Sequence, residues 1–173
     1  MREHHQKDSA KYTHVCHEFA PVYDSRSQVL ILGSLPSAKS RENHFYYGHP
    51  QNRFWRLLAL LYKTPVPETT EEKRAMLLKN RIALWDVIAS CDIIGSSDSS
   101  IRNVTAADLG QILNAAPIQL ILANGTAAFK LYQKYCQEQT GREAVLCPST
   151  SPANAAFTLE KLKAAWGRHL PLA

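Results

Sequence analysis

The chain has 173 residues, 45% hydrophobic and 20% charged, which fits one cored domain and excludes a disordered chain or two separately cored domains. A chain this long buries about 70% of its extended surface, so no metal or disulfide is needed to hold it. The net charge of +5 is uneven, with five cations against Glu42 alone in 39–63 and a second basic stretch in 127–173, and it suits either a polyanionic partner or a solvated basic surface.

Residues 1–16 are polar and predict a flexible amino-terminal tail ahead of a single domain over 17–173. His4, His5, His14 and His17 cluster there without the spacing of metal ligands. The apolar run at 28–33 (QVLILG) predicts a strand buried on both faces. Twenty residues dense in Gly, Pro, Ser, His, Asn and Tyr follow it, longer than a usual strand-to-helix connection. Helical spacing marks 52–62, with Asn52 as N-cap, and a charged amphipathic helix at 69–80. A second strand is expected at 81–88, a Ser- and Asp-rich loop at 89–103, and a helix over 105–115 capped by Thr105. Strand 119–124, helix 126–139, strand 144–147, the turn-rich PSTSPAN and helix 159–169 complete the chain. Alternating strands and helices predict a three-layer α/β/α sandwich around a central, mainly parallel four-stranded sheet.

No run nears eighteen apolar residues and the start lacks a signal-peptide core, so a cytoplasmic protein off the membrane is expected. Cys16, Cys91, Cys136 and Cys147 form no C-x-x-C pair, which predicts reduced thiols and no metal site.

In such a fold ligands sit beyond the carboxyl ends of the strands, where these loops gather. Three chemistries compete for them. Phosphate binding suits the Ser and Thr residues at helix starts, but neither G-x-G-x-x-G nor G-K-[ST] occurs. A serine hydrolase lacks G-x-S-x-G and convincing partners. A flipped nucleobase needs an aromatic face, an amide to read its edge and hydroxyls for the flanking phosphates; Tyr46, Tyr47, Asn124 and the serine-rich loops supply these.

The string Tyr46-Tyr47-Gly48-His49-Pro50-Gln51-Asn52-Arg53-Phe54-Trp55 resembles the FAHPxNRFW stretch of the mismatch-specific uracil-DNA glycosylases. GSLPS after the first strand, ILANG at the third and PSTSPAN after the fourth resemble motifs of the uracil-DNA glycosylase superfamily. Over about 17–169, GS-x-PS, YY-x-HP-x-N-x-FW, WDV and DSSI are most similar to the hypoxanthine (deoxyinosine) DNA glycosylase branch.

The resemblance implies a monofunctional DNA glycosylase without cofactor, acting as a monomer on double- or single-stranded DNA that carries a deaminated base, hypoxanthine first and uracil second. Leu35 stands where most of the superfamily has an acid or amide that places water, and Cys147 where it often has His or Asn. The resemblance therefore shifts the catalytic role to Asn52, whose carboxamide would accept a hydrogen bond from the attacking water. It implies base binding by Tyr47, Asn124, Gly33, Ser34 and Leu35, and DNA contacts from Ser37, Lys39, His49, Arg53, Ser149, Thr150 and Ser151. Arg41 and Arg56 join Lys39 and Arg53 on the DNA-facing edge. Lys39 reads as a phosphate contact, not as a Schiff-base nucleophile.

On the residues alone, several alternatives stand. Asn52 equally suits a helix cap and His49 a loop brace, while Ser149, Thr150 and Ser151 suit plain turns. Asp86 either braces the pocket or caps its strand. A lesion-binding protein without catalysis and a small-molecule hydrolase or nucleotide-binding protein are the rival functions.

Overall fold

The computed structural model describes residues 11–171. It opens with strand β1 (Thr13–Cys16), then β2 (Val29–Gly33), the short helix α1 (Ala38–Asn43), α2 (Phe54–Tyr62) and α3 (Thr70–Lys79). Strands β3 (Ile82–Asp86), β4 (Ile88–Ile93) and β5 (Arg102–Ala106) follow, the last two separated by a 3₁₀ turn at Asp98–Ser100. Helix α4 (Gly110–Leu113), β6 (Leu120–Asn124), α5 (Thr126–Tyr135), α6 (Gln137–Thr140), β7 (Val145–Cys147) and α7 (Leu159–Gly167) complete the order.

All four expected strands form one parallel sheet, ordered β3-β2-β6-β7. Its central strand β2 is buried throughout, and its side chains alternate between two cores. Val29 and Ile31 pack with Phe54, Leu57, Leu58, Leu77 and Trp166, whereas Leu30 and Leu32 pack with Ile112, Tyr132 and Cys136. That division makes the sheet the middle of three layers, as its unbroken apolar sequence predicts. Helix α3 starts where Thr69 accepts the Glu72 N–H at 3.1 Å and the Glu72 carboxylate accepts the Thr69 N–H at 3.3 Å, a reciprocal cap.

A second sheet, β1-β4-β5, is antiparallel and departs from expectation. The strand expected at 81–88 ends at Asp86, and after Val87 alone the chain enters β4, where a loop was expected. Its sequence IASCDI is polar on the half-covered face and buries Ile88, Cys91 and Ile93 on the other, so it lacks the continuous apolarity of the central strands. Thr105 pairs with Ser90 inside β5 in place of capping a helix, and the helix expected over 105–115 shrinks to α4. Strand pairing of the β-branched Val104 and Thr105 outweighs the local capping signal. Residues 13–16, expected within the flexible tail, pair with 90–93 as β1. The first ten residues, with His4 and His5, lie outside the described residues. The helix expected over 126–139 divides at Cys136 into α5 and α6. Among the described residues, no helix is long and apolar enough to cross a membrane.

Strand β2 has β3 on one side and β6 on the other, so the chain reverses its winding direction there. The crevice at that switch is where a doubly wound sheet receives ligands.

Candidate active site

Gly33 pairs with Asp86, Leu32 with Ala123, and Asn124 with Cys147, which aligns Asp86, Gly33, Asn124 and Cys147 in one row across the carboxyl edge of the parallel sheet. All four line a pocket of about 850 Å³, together with Ser34, Leu35, Ser37, Tyr47, Asn52 and Ser149 to Ser151. Two glycines make the crevice possible. A Cβ on Gly33 would stand 2.4 Å from Asp86 Oδ1 and 3.1 Å from the Tyr47 hydroxyl. Gly125 has φ +94°, and a Cβ there would stand 2.9 Å from Ser149 Cβ, so the 148–154 loop closes against bare backbone.

Tyr47 reaches the pocket through a left-handed backbone, φ 53°, a conformation that costs a bulky residue energy and that packing must hold. That packing comes from Phe54, whose ring centroid lies 4.2 Å from that of Tyr47 at an interplanar angle of 30°. The Tyr47 hydroxyl is buried and has no hydrogen-bond partner among the described residues. Burial first, and the nearby Asp86 carboxylate second, push its ionisation well above the ordinary phenol range, with Asn124 acting in the opposite direction. It therefore remains a neutral O–H.

Behind the ring, one hydrogen-bond chain couples two amides from distant parts of the sequence. Asn124 Nδ2 donates to Thr150 Oγ1 at 3.1 Å, and that hydroxyl donates to Asn52 Oδ1 at 2.9 Å. The Thr150 N–H returns to Asn124 Oδ1 at 3.0 Å, while the Phe54 N–H donates to Asn52 Oδ1 at 3.0 Å. A carbonyl oxygen offers two lone pairs, and both are taken at Asn52 Oδ1. The water-accepting role expected of that oxygen is therefore filled by protein donors. Among the described residues Nδ2 of Asn52 donates to nothing, and it is the open end of the amide. Asn52 caps α2 through its side chain from just outside the helix, because Arg53 takes the N-cap position.

Arg53, expected on DNA, faces inward. Its guanidinium donates to the carbonyls of Ser151 at 2.9 Å, Asn154 at 3.1 Å, Thr150 at 3.4 Å, and Phe157. Its charge is spent on building the 150–157 loop. Thr150 is fully buried within the amide chain, so its side chain is not a surface phosphate contact. Ser149 and Ser151 each accept a backbone N–H two residues on, at 3.1 and 3.2 Å, and so shape turns at the pocket rim. Ser37 caps α1 by accepting the Ser40 N–H at 3.2 Å. Lys39 lies in an exposed ion pair with Glu42 at 3.3 Å, and the exposed His49 accepts the Gln51 N–H at 3.1 Å; neither lines the pocket. Arg41 does line it.

Asp86 proves to be a wall residue of the pocket and not merely a strand end. It is 3% exposed, and its Oδ2 lies 2.8 Å from His17 Nε2. His17 went unassigned in the sequence because its partner is sixty-nine positions away. Among the described residues no group of three or more His, Cys, Asp or Glu is arranged to hold a metal.

The thiols divide sharply. Burial raises the Cys147 thiol to about 12 and Cys136 to about 11, and also raises Cys91, whereas Cys16 is exposed. A disulfide reagent at pH 8 should therefore modify one thiol per folded molecule rapidly, and Cys16→Ser should abolish that phase. Rapid modification of Cys147 would contradict its burial beneath the pocket.

A three-layer α/β fold that brings an aromatic ring and two amides to its switch point defines a site able to stack on a base and read its edge. The comparisons make the assignment specific. The model of the uracil DNA glycosylase superfamily matches residues 20–168. The chain is 35% identical over 150 residues to the hypoxanthine DNA glycosylase of Methanosarcina barkeri, covering 86% of this chain and 93% of that one. It is 37% identical over 142 residues to that of Methanosarcina acetivorans, covering 81% and 89%. Its fold is similar to the solution NMR structure of a candidate uracil DNA glycosylase from Methanosarcina acetivorans, with a TM-score of 0.72 and 34% identity over 87% of this chain and 95% of that one. The chain belongs to the uracil DNA glycosylase superfamily and is a DNA glycosylase, a hydrolase of N-glycosyl bonds.

Proposed function

We propose that the enzyme excises a deaminated base flipped out of DNA, hypoxanthine first and uracil second, and leaves an abasic site. The observation that carries this reading is the meeting of Tyr47, Asn52 and Asn124 in one pocket, on a chain similar to two hypoxanthine DNA glycosylases. The base stacks on the pocket face of Tyr47, whose other face rests on Phe54. Asn124 has one amide hydrogen left after its bonds to Thr150 and gives it to a base carbonyl. The backbone N–H groups of Ser34 and Leu35, which no turn or side chain among the described residues takes, add donors as negative charge builds on the leaving base.

Breaking the N-glycosidic bond develops positive charge on the sugar, so the incoming water needs placement more than deprotonation. Asn52 supplies placement through its free Nδ2–H, which takes one lone pair of the water and leaves the other aimed at the sugar carbon. Lys39 does not line the pocket, which supports hydrolysis without a Schiff base. The pocket is complete within one chain, which supports action as a monomer, and four unbridged cysteines suit the cytoplasm.

The test is single-turnover excision from single- and double-stranded DNA carrying hypoxanthine, uracil, xanthine or mismatched thymine. Release of hypoxanthine ahead of uracil, with no borohydride-trapped adduct, is expected. Release of none at stoichiometric enzyme would refute the proposal. Because the Leu35 side chain offers no polar atom for water, tight lesion-selective binding without turnover would instead mark a lesion-binding protein.

A further inference from the structure

We infer that Asp86 is the specificity-determining acceptor of the site: its free carboxylate oxygen takes the ring N–H that deamination creates on a base. The inference rests on the proposed excision of deaminated bases and adds the reason such a base is distinguished from its parent.

The geometry leaves this carboxylate one free hand. Oδ2 is held by His17 Nε2 at 2.8 Å, with both side chains only 5% exposed. His17 is fixed in turn by its backbone N–H to the Ala89 carbonyl at 2.8 Å and by its ring against Phe19, with centroids 4.6 Å apart. Oδ1 takes no hydrogen bond among the described residues, and it sits over the bare Cα of Gly33, beside the Tyr47 hydroxyl. A base stacked on Tyr47 brings its edge to this oxygen. The polar groups around Asp86 are therefore His17 and the phenols of Tyr46 and Tyr47, and the Tyr46 hydroxyl is already bonded to the Ala20 carbonyl at 2.9 Å.

A carboxylate only accepts hydrogen bonds. Adenine presents an unprotonated N1 to such a group, and cytosine an unprotonated N3, so lone pair would face lone pair. Deamination turns each amidine into a lactam, and hypoxanthine N1 and uracil N3 then carry a proton. One fixed acceptor thus reads the chemical change common to both lesions. Sites built to hydrogen-bond a substrate reject the analogue lacking that group far more strongly than apolar pockets reject a size difference. The bond also runs to a charged group whose side chain is almost wholly buried, the setting in which such bonds count most.

The test compares hypoxanthine with unsubstituted purine, which lacks both the N1 proton and the carbonyl, in otherwise identical duplexes under single turnover. Adenine serves as the natural control. Asp86→Leu should lower hypoxanthine excision by roughly tenfold to a hundredfold, the worth of one bond to a charged group. Purine excision should hold or rise, because the opposing lone pair is gone, so the hypoxanthine-to-purine ratio collapses. Asp86→Asn, which preserves shape should the leucine variant fail to fold, should lower that ratio as well, since an amide whose oxygen takes the His17 proton turns an N–H toward the base. An equal loss on all bases, or an unchanged ratio in either folded variant, would overturn the inference and make Asp86 a structural brace. Failure of the wild-type enzyme to release hypoxanthine at all would instead overturn the proposed function.

Discussion

Asn52→Ala should leave DNA affinity nearly unchanged and cut single-turnover excision by roughly a hundredfold to a thousandfold, the usual cost of losing a preorganised polar group at the reacting centre. The basic residues proposed to meet DNA, Arg41 on the rim and the exposed Lys39 and Arg56, lie outside the amide chain, so their placement should not depend on Asn52. Its loss also removes an acceptor for the Thr150 hydroxyl and the Phe54 N–H. Some stability, about 1 kcal/mol as for other lost caps, should therefore go with the activity. Melting and binding measured on the same preparation separate the two effects. A rate near that of the wild type would remove Asn52 from the chemistry and leave it a helix cap.

Arg53→Lys should lower the melting temperature by about 6–12 °C, because losing bonds from one cation to several carbonyls costs about 3 kcal/mol. A guanidinium forks toward four carbonyls between Thr150 and Phe157; a lysine has the charge without the fork. Excision should fall too, since the segment that Arg53 holds carries Thr150 and thereby both amides. The salt dependence of DNA binding should barely change, as no phosphate contact is lost. An unchanged melting temperature with a shallower salt slope would return Arg53 to the DNA-facing surface.

The parallel sheet was legible because its strands are short, apolar on both faces and bounded by turn residues, so that periodicity and burial coincide. The second sheet was not. Strand β4 mixes Ser, Cys and Asp with three buried side chains, and β5 reads RNVTA with no residue fully buried; β4 becomes a strand by pairing with the distant β1, and β5 by pairing with β4. At the candidate site, the string from Tyr46 to Trp55 marked a segment that lines the pocket but not how each residue is engaged there. Phe54 and Trp55 are core, and Arg53 is a brace; a sequence shows a charge but not whether carbonyls elsewhere will enclose it. Asp86 remained ambiguous for the same reason, since its partner His17 lies sixty-nine positions away and precedes the parallel sheet altogether.

The join at Val87 has a mechanical consequence. Asp86 closes the parallel sheet and Ile88 opens the antiparallel one, and the N–H groups of Val87 and Ile88 donate to the carbonyls of Gly33 and Ser34 at 2.8 and 3.1 Å. The floor and side wall of the pocket are therefore one continuous beam, riveted to the loop that carries Ser34 and Leu35. The two sheet-borne walls of such a socket keep the spacing that the join sets, so under the proposed function it is the edge of the base that must suit them.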